Sequence, residues 1–118
     1  MTEHPAFYLG LSLLLMHEMD AVRCREWRIF PGMSLLSDEW GKRVFFLAHV
    51  PLFYAILAAV AGQTSHPDFI SGMSLFMVVH AGLHLVFLRH PRNEFTDWLS
   101  WSIIGGAAAA GALELGLG

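Results

Sequence analysis

His17, His49, His80 and His84 are the residues of this sequence that could do chemistry together, and Asp20 follows the first of them by three positions. Neutral imidazole and carboxylate are ready ligands for zinc, iron or manganese. Spacing sorts these residues into faces. His80 and His84 stand four apart and share one side of a helix, as His17 and Asp20 do at a spacing of three. Cys24 continues the second stripe if that helix persists. Glu18 points about 100° away from His17, which predicts a separate partner for it, such as Arg25.

Depth can be read from the distance to the flanking cations. His17 precedes Arg23 by six residues and His49 follows Arg43 by six, so each lies roughly 9 Å below that boundary if helical. His84 and His80 precede Arg89, which puts them roughly 7 and 13 Å deep. Asp97 follows Arg92 at about 7 Å. Three helices thus bring histidine to one layer, and a bound cation would offset the burial of an ionised Asp20 there. The sequence therefore predicts a metal site drawn from His17, Asp20, His49, His80 and His84. Glu18, Glu26 and Glu94 are candidate general bases close to the same boundary. His4 and His66 fall in polar context at the other side and are expected to be solvated. His90, before Pro91, is expected to cap a helix or meet headgroups.

The elements that must hold these groups are four apolar stretches. Hydrophobic residues make up 55% of the chain and charged residues 14%, too thin a charged shell for a soluble domain. The fold class predicted is all-α, an integral membrane four-helix bundle forming one domain over residues 1–118. Its spans run at about 6–22, 44–61, 69–88 and 95–117. The first is interrupted by His17, Glu18 and Asp20, and Ala6 to Met16 alone is too short to cross roughly 30 Å of hydrocarbon. The other helices must shelter those groups for it to cross. Ser37-Asp38-Glu39 reads as a helix start, and Pro51 can kink the second span.

All seven Lys and Arg residues fall between spans one and two or between spans three and four. The positive-inside rule then places both termini outside and the basic loops in the cytoplasm, across an inner (cytoplasmic) membrane. Trp27, Trp40, Trp98 and Trp101 flank the same loops, as an interfacial aromatic belt would. Small residues in the last span, Gly106 with Ala110 and Ala107 with Gly111, suit close helix approach within the bundle. No positively charged segment precedes the first span, so no cleaved signal peptide is expected.

Other classes find no support. No basic stripe with aromatic interleaving points to nucleic acid. Cys24 is the single cysteine, which leaves no Cys-x-x-Cys metal site. His17-Glu18-Met19-Asp20-Ala21 lacks the second histidine of the zinc-protease helix, and no phosphate loop or nucleophile elbow is present.

The chain resembles an uncharacterised family of small multi-helix bacterial membrane proteins, a domain of unknown function. The resemblance rests on His17-Glu18-x-Asp20-Ala21, Glu26-Trp27-Arg28-x-Phe30-Pro31 and His49-x-Pro51-Leu52. It continues through His80-Ala81-Gly82-Leu83-His84 and His90-Pro91-x-x-Glu94-Phe95-x-x-Trp98-Leu99-Ser100-Trp101. It implies a membrane protein and no particular activity.

Four functions remain open on these residues. The leading one is an intramembrane protein binding a divalent metal, zinc or iron, and acting as a metalloenzyme on a lipid-soluble substrate at the cytoplasmic side. The second is a b-type haem electron carrier, with His49 and His84, or His17 and His80, as axial ligands. The third is an ion conduit, which the apolar outer half disfavours. The fourth is an accessory subunit of a membrane complex. Beyond the lipid bilayer, the partners expected are a second copy of the chain or such a complex.

Overall fold

Four long apolar segments, free of internal breakers apart from Pro51, fold as four α-helices. The computed structural model describes residues 4–62 and 68–117. His66 lies outside the described residues. The helices are α1 (Pro5–Arg23), α2 (Asp38–Ala61), α3 (Asp68–Val86) and α4 (Trp98–Leu117). Short 3-10 turns cover Glu26–Arg28, Met33–Leu35 and Phe87–Arg89. Among the described residues there is no strand, and the fold is an all-α bundle. Three helices, α2, α3 with its 3-10 extension, and α4, are long and apolar enough to cross a membrane.

Local chemistry sets the helix ends. Ser37 is extended, and its Oγ accepts the Trp40 backbone N–H at 3.3 Å, with Asp38 and Glu39 in the first turn. This satisfies a donor that helix geometry leaves unpaired and places negative charge at the positive end of the helix dipole. The last helix begins at Trp98, three residues later than the expected start at residue 95. Asn93 Oδ1 takes the Phe95 N–H in a preceding turn, and Asp97 Oδ1 accepts the Ser100 N–H at 2.8 Å. Asp97 is thus the cap. His90 closes the turn after α3, where its Nδ1 accepts the Arg92 N–H.

The core is built by α1, α3 and α4, with α4 packed against both others. Small residues allow the approach. A Cβ on Gly111 would stand 2.5 Å from the Ser74 carbonyl oxygen, and one on Gly10 would meet Met77 Sδ at 2.7 Å. Ala107, Ala110 and Gly111 are all buried, so the small residues of α4 serve this internal seam. Helix α2 behaves differently. Only 11% of its apolar window is buried, against 39% for α4, and it meets mainly the α1–α2 connection.

Two apolar clusters fill the interior. Phe7, Leu11, Leu14, Ile70 and Met77 form one; Ala21, Trp27, Phe45, Phe95 and Ile104 belong to the other. Trp27 departs from the belt expected of the tryptophans. It is buried against Gly41 and Phe45, and its Nε1–H donates to Asp38 Oδ1 at 3.1 Å. The physical reason is that Gly41 leaves a slot the size of an indole edge. Trp40 and Trp98 are exposed at that end.

Candidate metal centre

Between the two clusters, α1 contributes His17 and α3 contributes His80 and His84. The two α3 residues lie one turn apart on the face turned to α1. The three rings form a nearly equilateral triangle: centroids are 4.5 Å apart for His17–His80, 4.6 Å for His80–His84 and 4.9 Å for His17–His84. One ring nitrogen of each lies within 4.8 Å of the other two. His80 Nε2 and His84 Nε2 are 3.2 Å apart. For two nitrogens on a tetrahedral zinc, bond lengths of about 2.0–2.1 Å give an edge of roughly 3.3–3.4 Å.

All three rings are buried, His17 at 1% exposure. Among the described residues, neither nitrogen of His17, nor His80 Nδ1, has a hydrogen-bond partner. Leaving a buried polar group unpaired costs about 1–3 kcal/mol. Phe95 lies against His17 and His84 at 5.4 and 4.6 Å between centroids, closing the triangle on the α4 side. The nearest carboxylate is Glu26, whose Oε2 is 3.8 Å from His17 Nε2. Glu26 sits on the 3-10 turn that follows α1. Burial, reinforced by the Glu18 carboxylate, pushes its carboxyl up to about 7.

The remaining predicted residues are placed elsewhere. His49, on α2, is at the expected depth but outside the triangle. Its Nδ1–H donates to its own helix, to Phe45 O at 2.7 Å, and its Nε2 meets Glu18 Oε2 at 2.6 Å. Glu18 therefore pairs with His49 and not with an arginine. The angular offset of Glu18 from His17 turns it towards the loosely attached α2. Asp20 faces α4 and is not one of the three grouped ligands. Its carboxylate accepts Arg23 Nε–H at 2.7 Å and Ser100 Oγ–H at 2.6 Å. Arg23 reaches on to Asp97 at 3.1 Å and donates to Ser100 Oγ at 3.0 Å. The Ser100 backbone N–H, then the Arg23 guanidinium, hold the Asp97 carboxyl below its usual range. Glu94 pairs with Arg28 at 3.2 Å on the α3–α4 connection.

A cavity of about 550 Å³ opens between α2, α3 and the α1–α2 connection. Its polar groups are Glu18, Glu26, His49, His80 and His84. Phe30, Phe45, Leu52, Phe76 and Phe87 supply much of an otherwise apolar wall. Two of the three histidines, His80 and His84, thus border a chamber of ligand size, and two of the three candidate bases line it.

A further polar contact joins the two ends of the chain. His4, expected to be solvated, has Nδ1 2.8 Å from Glu114 Oε2, and the Phe7 N–H donates to Glu114 Oε1 at 3.3 Å. Glu114 is buried on α4 and answers one of the free N–H groups at the start of α1, that of Phe7. A lone carboxylate in an otherwise apolar Gly/Ala segment was the available signal.

Comparison with known proteins gives a family and no activity. No curated protein and no solved structure matches the chain. A family model described as a family of unknown function, DUF6713, matches residues 4–118. Covering nearly the whole chain, that match makes this protein a member of the DUF6713 family.

Proposed function

We propose that this is an intramembrane metal-binding protein that holds one divalent ion, zinc or iron, on His17, His80 and His84, with Glu26 as the nearest carboxylate. The observation that carries this reading is His17. It is fully buried, neither ring nitrogen has a partner, and two further imidazoles stand at ligand spacing from it. The donor set suits a borderline metal. Ring centroids 4.5 Å apart leave no space for a macrocycle between His17 and His80, and both ring nitrogens of His49 are taken by Phe45 O and Glu18, which favours an ion over haem.

When bound, the ion would supply Lewis acidity to an oxygen-bearing head group. The apolar chamber beside it gives that centre access to a lipid-soluble substrate. Glu18 and Glu26 are the carboxylates able to accept a proton from a molecule held there. In the orientation that the basic loops favour, the centre lies in the cytoplasmic half of an inner membrane, with both termini outside.

The test is elemental analysis and an absorption spectrum on detergent-purified protein, beside a His80→Ala/His84→Ala variant. Near-stoichiometric zinc or iron, lost in the variant, supports the reading. A visible haem band would replace it with the electron-carrier reading. Metal-free, colourless protein that unfolds cooperatively would overturn both and leave the histidines as packing groups of an accessory subunit.

A further inference from the structure

Seven cations flank the helices, and four of them have carboxylate partners. Arg23 pairs with Asp20 and Asp97, Arg28 with Asp38 and Glu94, Arg43 with Glu39, and Arg92 with Asp38. Among the described residues, Arg25, Lys42 and Arg89 have none. Two of these three, Arg25 and Lys42, line one cavity of about 650 Å³ between the α1–α2 connection and the start of α2. Val22 and Phe46 form its apolar side. Asp38 and Glu39 also border it, but Arg28 and Arg43 already answer their charges. What remains is a pair of unanswered positive charges in a concave, partly apolar recess.

Backbone geometry adds a second observation. Arg25 has φ 52° and ψ 53°, the left-handed conformation. For a residue with a Cβ this is unfavourable by about 1–2 kcal/mol relative to the right-handed form, and glycine adopts it freely. The bend itself is needed, because it turns the chain out of α1 and swings Glu26 and Trp27 inward. An arginine is not needed for the bend.

We propose that this recess binds the phosphate of an anionic phospholipid, between Arg25 and Lys42. The apolar continuation favours a lipid over a free anion. Lys42, Phe46, Val50, Phe53 and Leu57 follow one another at helical spacing down one side of α2, and the four apolar ones are exposed. A phosphate held at Lys42 leaves its acyl chains directly along that stripe. Basic recesses at the cytoplasmic ends of membrane helices bind headgroups in this way. The site is separate from the histidine triangle and does not depend on a metal.

The test is native mass spectrometry of the full-length chain in a non-ionic detergent, with dioleoyl phosphatidylglycerol, dioleoyl phosphatidylcholine or inorganic phosphate. Wild type is expected to retain phosphatidylglycerol at least ten-fold over phosphatidylcholine. Arg25→Gly and Lys42→Gln should each weaken retention roughly five-fold, one cation's share. Arg25→Gly should also raise the unfolding temperature, because it relieves the left-handed residue. Binding loss together with a stability gain is a pattern that a purely structural arginine cannot give. Equal retention in wild type and both variants, or equal retention of the two lipids, overturns the proposal. Displacement of phosphatidylglycerol by millimolar inorganic phosphate overturns it in favour of a free-anion site.

Discussion

His17 and Asp20 sit on the same helix within one turn of each other, and the protein treats them in opposite ways. Asp20 is enclosed by donors: Arg23 and Ser100 satisfy its oxygens, and Asp97 accepts further guanidinium N–H groups of Arg23. His17 is enclosed by two other imidazoles and a phenyl ring, with both its nitrogens unanswered. The bundle can evidently complete a buried polar network, and one turn away it does so. The difference separates a network whose donors and acceptors are matched from one whose ring nitrogens are left unmatched.

Substitutions can break this contrast from either end. The largest effect is expected at the triangle. His17→Leu should lower metal affinity on the order of a hundred-fold or more, measured by competition with a chromophoric chelator. The same change should raise the unfolding temperature of metal-free protein, since it removes a buried group that lacks partners. A fall in that temperature would make His17 a packing residue. Asp20→Ala should do the reverse, destabilising by about 1–3 kcal/mol in chemical denaturation while leaving metal content unchanged.

Glu26 stands between the two regimes and makes the pH test. Its folded value of about 7 lies above the unfolded 4.5, so the fold favours the neutral acid. That stabilisation is complete below pH 4.5 and is lost as pH rises through 7. It amounts to roughly 1–3 kcal/mol. The stability difference between metal-free wild type and Glu26→Gln should therefore shift against wild type between pH 5 and 8, the buried histidines contributing equally to both. A smaller effect is expected at Asp97, whose folded value is depressed. Its stabilisation is present above 3.8 and fades as pH drops through the folded value. Asp97→Asn keeps a good helix cap and removes the charge. Its melting temperature should lie slightly below wild type at pH 7 and converge with it in acid.

Much of this arrangement was legible in the sequence. Helical spacing alone put His80 and His84 on one face, and counting from the basic loops brought His17 to their depth. Ser37 announced α2 because a cap is a local device. What the count could not supply was azimuth and neighbour. His49 has the right depth, yet α2 stands off from the other helices, so its imidazole meets Glu18 and not the triangle. Asp20 was assigned to the same face as His17, but its partner Ser100 is 80 residues away, and no local pattern links them. Trp27 looked interfacial for the same reason: the slot that receives it is made by a glycine on another helix.

That dependence on distant small residues reaches the histidines as well. Ser74 and His84 are ten residues apart on α3, a lever of about 15 Å. Gly111 touches its far end, where an added methyl would press on the Ser74 backbone and has no flexible side chain to displace. Gly111→Ala must therefore tilt α3 against α4, altering the gap between His17 and the α3 pair without touching any ring. The expected readout is a changed ratio of zinc to manganese affinity in the variant, against an unchanged ratio for the exposed Gly116→Ala. On that geometry, the opening between the three rings is set like the jaws of a calliper whose adjusting screw is a missing side chain at the opposite end of the helix.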